Sequence, residues 1–193
     1  MKRRHIALMV FATASIAMAD FTMAQQGSRD RNSLMSASGI SFSEIKGYER
    51  WQMVGVSQAD GGYGCSTSPD PGCIKGVLGN AVLIKALGEG IPRNGKPVPD
   101  GAVFAKIEWA KERNTDAGYP MTVPGNLAEV GVMMKDSKRF PERNGWGYAR
   151  FIYNPGSDTW TSFGDGPEFQ NTCHGCHTVV KSRDFVYTHF PKR

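Results

Sequence analysis

Ala102-Val103-Phe104-Ala105-Lys106-Ile107-Glu108-Trp109 is the stretch that decides the fold class. On an extended chain Val103, Ala105, Ile107 and Trp109 share one face, while Ala102, Phe104, Lys106 and Glu108 share the other. A period of two belongs to a strand and not to a helix. The first face is wholly apolar and calls for burial; the second sets an aromatic ring beside a lysine and a carboxylate. Working outward, Val130–Met134 and Trp146–Tyr153 read as further strands, the latter rich in aromatics. Ser43–Gln52 and Asn80–Leu87 are the helix candidates. The 23 glycines and 11 prolines interrupt nearly every stretch of helical length, which argues against a bundle of long helices.

With 193 residues, 40% of them apolar, and with four tryptophans and ten phenylalanines, the chain can fill one core, and a single domain is expected. Residues 1–24 are set apart. Lys2, Arg3 and Arg4 precede the apolar run Ile6–Ala17, and small residues follow at Ala17, Ala19 and Ala24, the pattern of a secretory signal peptide. The run falls short of the roughly 20 apolar residues that a membrane span requires, so no stable membrane insertion is expected. The reading is 1–24 signal peptide, 25–40 disordered, and 41–193 one folded domain, exported and periplasmic. Removing residues 1–24 takes away three positive charges and one negative, lowering the formal charge from +5 to +3. The remaining basic residues are scattered, and nucleic acid is not an expected partner.

The four cysteines form two pairs. Cys65 and Cys73 bracket the turn-rich Ser66–Gly72, and in an oxidising compartment a disulfide closing this loop is expected. Cys173-His174-Gly175-Cys176-His177 fits the C-x-x-C-H pattern of c-type haem attachment. Two thiols three positions apart can each form a thioether with a haem vinyl group, and His177 is thereby placed under the iron as its axial ligand. A zinc site would need a second ligand pair, and a thioredoxin-like pair would sit early in a βαβ unit, whereas this motif lies 16 residues from the C-terminus. One covalently attached haem c is expected, with His174 an exposed passenger. The expected fold is therefore α+β, mainly β: an antiparallel sheet with a few packed helices and a C-terminal haem-binding segment.

No methionine follows Cys176, and Met133 and Met134 sit in a periodic stretch with the character of core. A five-coordinate iron is expected, and an open sixth position suits binding or transforming a small ligand better than simple electron relay.

Lys135-Asp136-Ser137-Lys138-Arg139-Phe140, Gly145-Trp146-Gly147-Tyr148, the haem motif and Asp184-Phe185-Val186-Tyr187, in that order, resemble the cytochrome P-460 and cytochrome c′-beta family. Tyr48-Glu49-Arg50-Trp51 is similar to that family's opening motif, so the resemblance runs from about Tyr48 to Phe190. It implies a β-rich fold, a homodimer, and a five-coordinate haem c in an aromatic pocket to which Phe104 belongs. It also implies one of two functions. Cytochromes P-460 carry a lysine bonded to the haem macrocycle and oxidise hydroxylamine towards nitric oxide or nitrous oxide, passing electrons to a soluble redox partner such as another cytochrome. Cytochromes c′-beta lack the bond and bind nitric oxide without turnover. Lys106 falls where the cross-linked lysine belongs, with Lys85 and Lys75 as weaker substitutes. A plain electron-transfer cytochrome is the third possibility.

Two departures bear on the chemistry. Lys75 stands where the family's enzymes carry an arginine. The position of the pocket carboxylate that manages protons aligns with Gly131 or Val132, leaving Glu108 and Glu129 as candidates, with the strand parity of Glu129 in question. Oxidising hydroxylamine removes protons as well as electrons, so a proton acceptor matters.

Overall fold

The computed structural model describes residues 31–60, 72–164 and 166–191. Six strands, β1 (Gln52–Asp60), β2 (Gly72–Gly79), β3 (Val103–Asn114), β4 (Met121–Lys135), β5 (Trp146–Asn154) and β6 (Thr159–Ser162), form one sheet in sequence order with every neighbouring pair antiparallel. The α+β, mainly β expectation holds. Strands β3 and β5 begin within a residue of where the alternation places them and run beyond it. Strand β4 is far longer than Val130–Met134, because its first half pairs with the outer end of β3 and is half exposed, a region where Pro124 and Gly125 interrupt the alternation of Met121, Val123 and Leu127.

The alternation within β3 builds the interior. Val103, Ala105 and Ile107 join Val130, Val132, Met134, Ala149 and Phe151 on one face, with Trp109 at its margin. This face is covered by residues 31–51, whose Ile40, Phe42, Ile45 and Tyr48 are buried against it. The disorder expected for 25–40 does not hold over 31–40. Ile40 is fully buried, Met35 bridges to Ser41, and the Ser36 hydroxyl donates to the Ile40 carbonyl at 3.0 Å. Three serines and a glycine give these residues the composition of a loop, and tertiary packing orders them. Residues 25–30, like the signal segment 1–24 and Cys65 of the expected Cys65–Cys73 bridge, lie outside the described residues.

The helix expected over Ser43–Gln52 is two 3-10 turns, Phe42–Ile45 and Tyr48–Arg50. Ser41 caps the first in a capping box with Glu44, and Gly47, at φ 81°, adopts the left-handed conformation that separates them. The second expected helix is present as α1 (Ala81–Gly88), with Asn80 as its N-cap. The Asn80 carboxamide oxygen accepts from Leu83 N at 3.0 Å and from Val103 N at 3.2 Å, so one side chain starts α1 and fixes the head of β3.

Helix α1, helix α2 (Pro167–His177) and the C-terminal segment cover the opposite sheet face, where Val54, Val77, Phe104, Met133, Trp146 and Tyr148 pack with Leu83, Phe185 and Val186. Among the described residues no helix is long and apolar enough to cross a membrane.

Phe42 packs edge-on against Phe151 at 4.9 Å and Trp160 at 5.2 Å between ring centroids. Phe42→Ala is therefore expected to cost about 3–5 kcal/mol, read by urea unfolding; a loss below about 1 kcal/mol would show that residues 31–51 are not part of the cooperative core. The same segment is clamped by Arg139, whose Nη1 donates to Glu44 at 2.7 Å. Burial pushes the Glu44 carboxyl up, but the bonds from Arg139 and Ser41 outweigh it and the net shift is downward from 4.5. A depressed folded-state pKa gives stability that is complete above the unfolded value and drains away as pH falls through the folded one. Arg139→Leu should accordingly lose more stability at pH 6 than at pH 3, measured by thermal melts; an equal loss at both would refute the clamp.

Candidate functional site

Helix α2 carries Cys173, Cys176 and His177. Positions three and four apart share a helix face, so both thiols and the imidazole are presented together. The helix is held against the sheet by Gln170, which is buried. Its carboxamide oxygen accepts from Tyr148 N at 3.0 Å while its nitrogen donates to Tyr148 O. Strand β6 pairs with β5 only from Phe151 onward, and Gln170 satisfies the main chain of β5 where that pairing has not begun.

Between α2 and the sheet lies a cleft of about 310 Å³. Cys173, Cys176 and His177 line it from the helix side. Val77, Phe104, Lys106, Gly131, Met133, Tyr148 and Arg150 line it from the sheet, and Val186, Tyr187 and Thr188 from the C-terminal segment. The cleft opens to solvent beside Cys176 and Tyr187, both exposed. Register explains the sheet wall. Lys106 pairs with Val77 on one side and Gly131 on the other, and Gly131 pairs with Arg150, so these residues form a single cross-strand row. A side chain at Gly131 would begin 3.2 Å from Lys106 Cε; the glycine leaves the room in which Lys106 lies.

His177 is set up as a ligand. Its Nδ1 lies 2.7 Å from the Phe185 carbonyl oxygen, which can only accept, so Nδ1 carries the proton and the Nε2 lone pair is left for a metal. Burial lowers the imidazole's pKa below 6.5; the Phe185 carbonyl opposes this and the charge on Lys106 adds to it, leaving a neutral ring. Tyr148 and Tyr187 flank that ring at 5.3 and 4.9 Å. His174 is not an exposed passenger. It stacks on Phe185 at 4.6 Å, and its Nδ1 lies 3.2 Å from the Tyr148 hydroxyl. An apolar cleft, two thiols on one helix face and an oriented neutral imidazole fit a haem: the cysteines would hold its edge and His177 its iron.

Both candidate carboxylates lie on the cleft face, one layer behind its lining. Glu108 and Glu129 are cross-strand partners, which settles the parity of Glu129 in favour of that face. Glu108 is fully buried, with Lys106 Nζ 2.5 Å from its Oε1, Lys75 Nζ at 3.6 Å and Cys73 Sγ 3.4 Å from its Oε2. Burial raises its pKa, but Lys106, Lys75 and Cys73 together more than offset this and hold the carboxyl below 4.5. Glu129 accepts from Arg150 Nε at 3.0 Å on each oxygen, and Arg150 Nη2 donates to it as well. Lys75 thus reaches Glu108 without reaching the cleft, and Lys85 lies exposed on α1. Met133 is in the cleft wall and Met134 in the opposite core. Arg150 was not singled out from sequence, although it stands two residues after Tyr148 on a strand and so shares its face.

The C-terminal segment is fixed by one buried ion pair. Lys135 Nζ donates to both Asp184 oxygens at 3.0 and 3.1 Å and to the Asn144 carbonyl at 2.9 Å. Asp184 also accepts from Val98 N at 2.7 Å and from Trp146 Nε1 at 3.2 Å.

These features define a haem-binding protein whose ligand helix is docked on the face of an antiparallel sheet. The cytochrome P-460 family model matches residues 45–188, and the chain belongs to that family, which implies a haem cofactor. No curated protein matches the chain.

Asp184→Asn leaves Lys135 buried without its counter-charge and should cost about 3–5 kcal/mol in urea unfolding. The His177 to Phe185 hydrogen bond should loosen with it, seen as a changed spectrum of the ferric protein. Unaltered stability together with an unaltered spectrum would show that the pair is incidental.

Proposed function

We propose that this chain is an exported, periplasmic mono-haem c-type cytochrome that oxidises hydroxylamine towards nitric oxide or nitrous oxide. The observation that carries the reading is that Lys106 lines the same cleft as Cys173, Cys176 and His177 and has Glu108 against its amine. Haem c, when bound, would supply a redox-active iron for a small nitrogenous ligand such as hydroxylamine.

In this reading Cys173 and Cys176 would hold the macrocycle as thioethers, and His177 Nε2 would hold its iron. Phe104 narrows the space left over the cleft. Lys106 would be the residue joined to the macrocycle, and Glu108 Oε1, 2.5 Å from its amine, would hold that amine in place at the cleft wall. Glu108, with Lys75 also beside it, would be a carboxylate close behind the lining to take protons released from the substrate. Glu129 serves by holding Arg150 in the wall. Electrons leave to a soluble redox partner such as another cytochrome, and the protein works as a homodimer.

A second reading has its own support. Neither Glu108 nor Glu129 lines the cleft and each is engaged by a cation, an arrangement suited to binding nitric oxide without turnover, as in the cytochrome c′-beta type.

The two separate in one experiment. Digestion of the purified holoprotein is expected to yield a haem peptide joining the Cys173–His177 segment to the one containing Lys106, with hydroxylamine oxidised in the presence of an artificial acceptor. Lys106→Leu should retain haem on the two cysteines and lose both the joined peptide and the turnover. Two thioethers alone, with no turnover, would leave the nitric-oxide reading. A low-spin ferric spectrum arising from Met133 would remove both.

A further inference from the structure

On the far side of the segment Val186–Thr188 from the haem cleft lies a second, smaller cleft of about 230 Å³, walled by Leu87, Gly90, Pro92, Arg93, Arg183 and Phe190. Val186 and Thr188 line both clefts, so a single thickness of chain separates them. At its mouth three donors converge. Arg93 Nη2 is against His189 Nδ1, and Arg183 Nη1 lies 3.3 Å from His189 Nε2. A neutral imidazole accepts at only one of its nitrogens, so one of these two contacts sets a donor against a donor. Among the described residues no carboxylate pairs with Arg93, Arg183 or His189. Lys181, exposed on the same C-terminal segment, adds a further positive charge.

Clustered cations with a surplus of donors and no carboxylate among the described residues to pair with are satisfied by carboxylates from outside. Close to them in the chain, Tyr187 is 40% exposed at the mouth of the haem cleft, and Val179, two residues after His177, is 75% exposed. Tyr187 is joined to the haem motif, its hydroxyl donating to the Cys176 carbonyl at 2.6 Å. An apolar spot at the cofactor's edge with a charged rim has the composition of a transient protein interface, in which charge sets the rate of encounter and the apolar centre the contact.

We propose that the Arg93, Arg183 and His189 cluster, with Lys181, is the docking surface for an acidic electron-acceptor protein, which takes electrons at the Cys176 and Tyr187 edge of the haem cleft. The proposal rests on the haem of the reading above and not on hydroxylamine as substrate.

The test uses the dithionite-reduced holoprotein, mixed in stopped flow with an oxidised acidic blue-copper protein, one electron passing from ferrous iron to cupric copper. The second-order rate is expected to fall steeply between 10 and 150 mM salt, as the screening length shrinks from about 30 Å to about 8 Å. Arg93→Glu combined with Arg183→Glu should slow it about tenfold at low salt and flatten the salt dependence; Arg93→Glu alone should give part of both effects. Oxidation by hexaammineruthenium(III), a small cation that needs no docking surface, should remain at least as fast in the variants. A rate to the blue-copper protein that ignores salt and both substitutions would overturn the proposal. So would a variant with a shifted haem spectrum, since the cluster would then be holding the haem's own carboxylates. Absence of hydroxylamine turnover alongside the expected salt and charge effects would fail the enzyme reading and leave the docking surface standing.

Discussion

The Lys135–Asp184 ion pair is the contact on which the haem side of this molecule depends. Burying two charges is expensive, and a pair of this kind often contributes little net stability compared with apolar residues of the same size. What it contributes is position. Asp184 and Phe185 both adopt left-handed backbone conformations, at φ 45° and 64°, which non-glycine residues hold only where surrounding contacts enforce them. Lys135, the Val98 amide and the Trp146 indole supply those contacts from three separate parts of the chain. The Phe185 carbonyl then points at His177 Nδ1, the imidazole tautomer is set, and the nitrogen that faces the cleft is the one with the lone pair. The end of β4, the start of β5 and the loop before β3 thus converge on the orientation of a single ring.

The second constraint is parity. Strand β3 has two faces, and the chain uses them for unrelated work. One is apolar and disappears under residues 31–51. The other carries Phe104, Lys106 and Glu108 into the cleft and the layer behind it. A slip of one residue in the pairing of β3 would exchange the two faces, burying a lysine and a carboxylate in the apolar core. The charged face can remain inside only because its neighbours on β2 and β5 carry the opposite charges: Lys75 stands opposite Glu108, and Arg150, one row along, holds the Glu129 that faces Glu108 on the other side.

Much of this could be read without coordinates. Alternation over Ala102–Trp109 gave both faces of β3, the spacing of Cys173, Cys176 and His177 gave the haem anchor, and Asn80 before an apolar run marked the start of α1. What stayed hidden depended on long-range contacts. Residues 31–40 look like a loop because their order comes from Ile40 and its neighbours fitting a sheet face that local composition cannot announce. Gln170 bonds the main chain of a strand 22 residues away, and no side-chain pattern signals a main-chain partner. Lys135 and Asp184 were visible as parts of two motifs, but their pairing was not, because nothing in either motif says that one neutralises the other. The parity of Glu129 was ambiguous for a local reason. The β3–β4 register shifts on either side of Trp109, so counting from Leu127, which pairs with Trp109, gives the wrong face, whereas counting back from Gly131 gives the right one.

The charge balance behind the cleft connects the fold to the chemistry. Lys75, Lys106 and Arg150 bring three positive charges to this face, and Glu108 and Glu129 bring two negative ones, so the row carries one cation in excess when all are ionised. A surplus charge beside an apolar cleft is unfavourable, and it weighs on the cation that must share its carboxylate. Arg150 cannot be deprotonated and is held on both oxygens of Glu129, while Lys75 stops short of the lining. Lys106 lies in the wall beside Arg150, has room made for it by Gly131, and shares Glu108, 2.5 Å from its amine, with Lys75. The electrostatics of the sheet and the geometry of the wall therefore select the same residue: Lys106 is the cation that a group bound in the cleft meets without a carboxylate of its own.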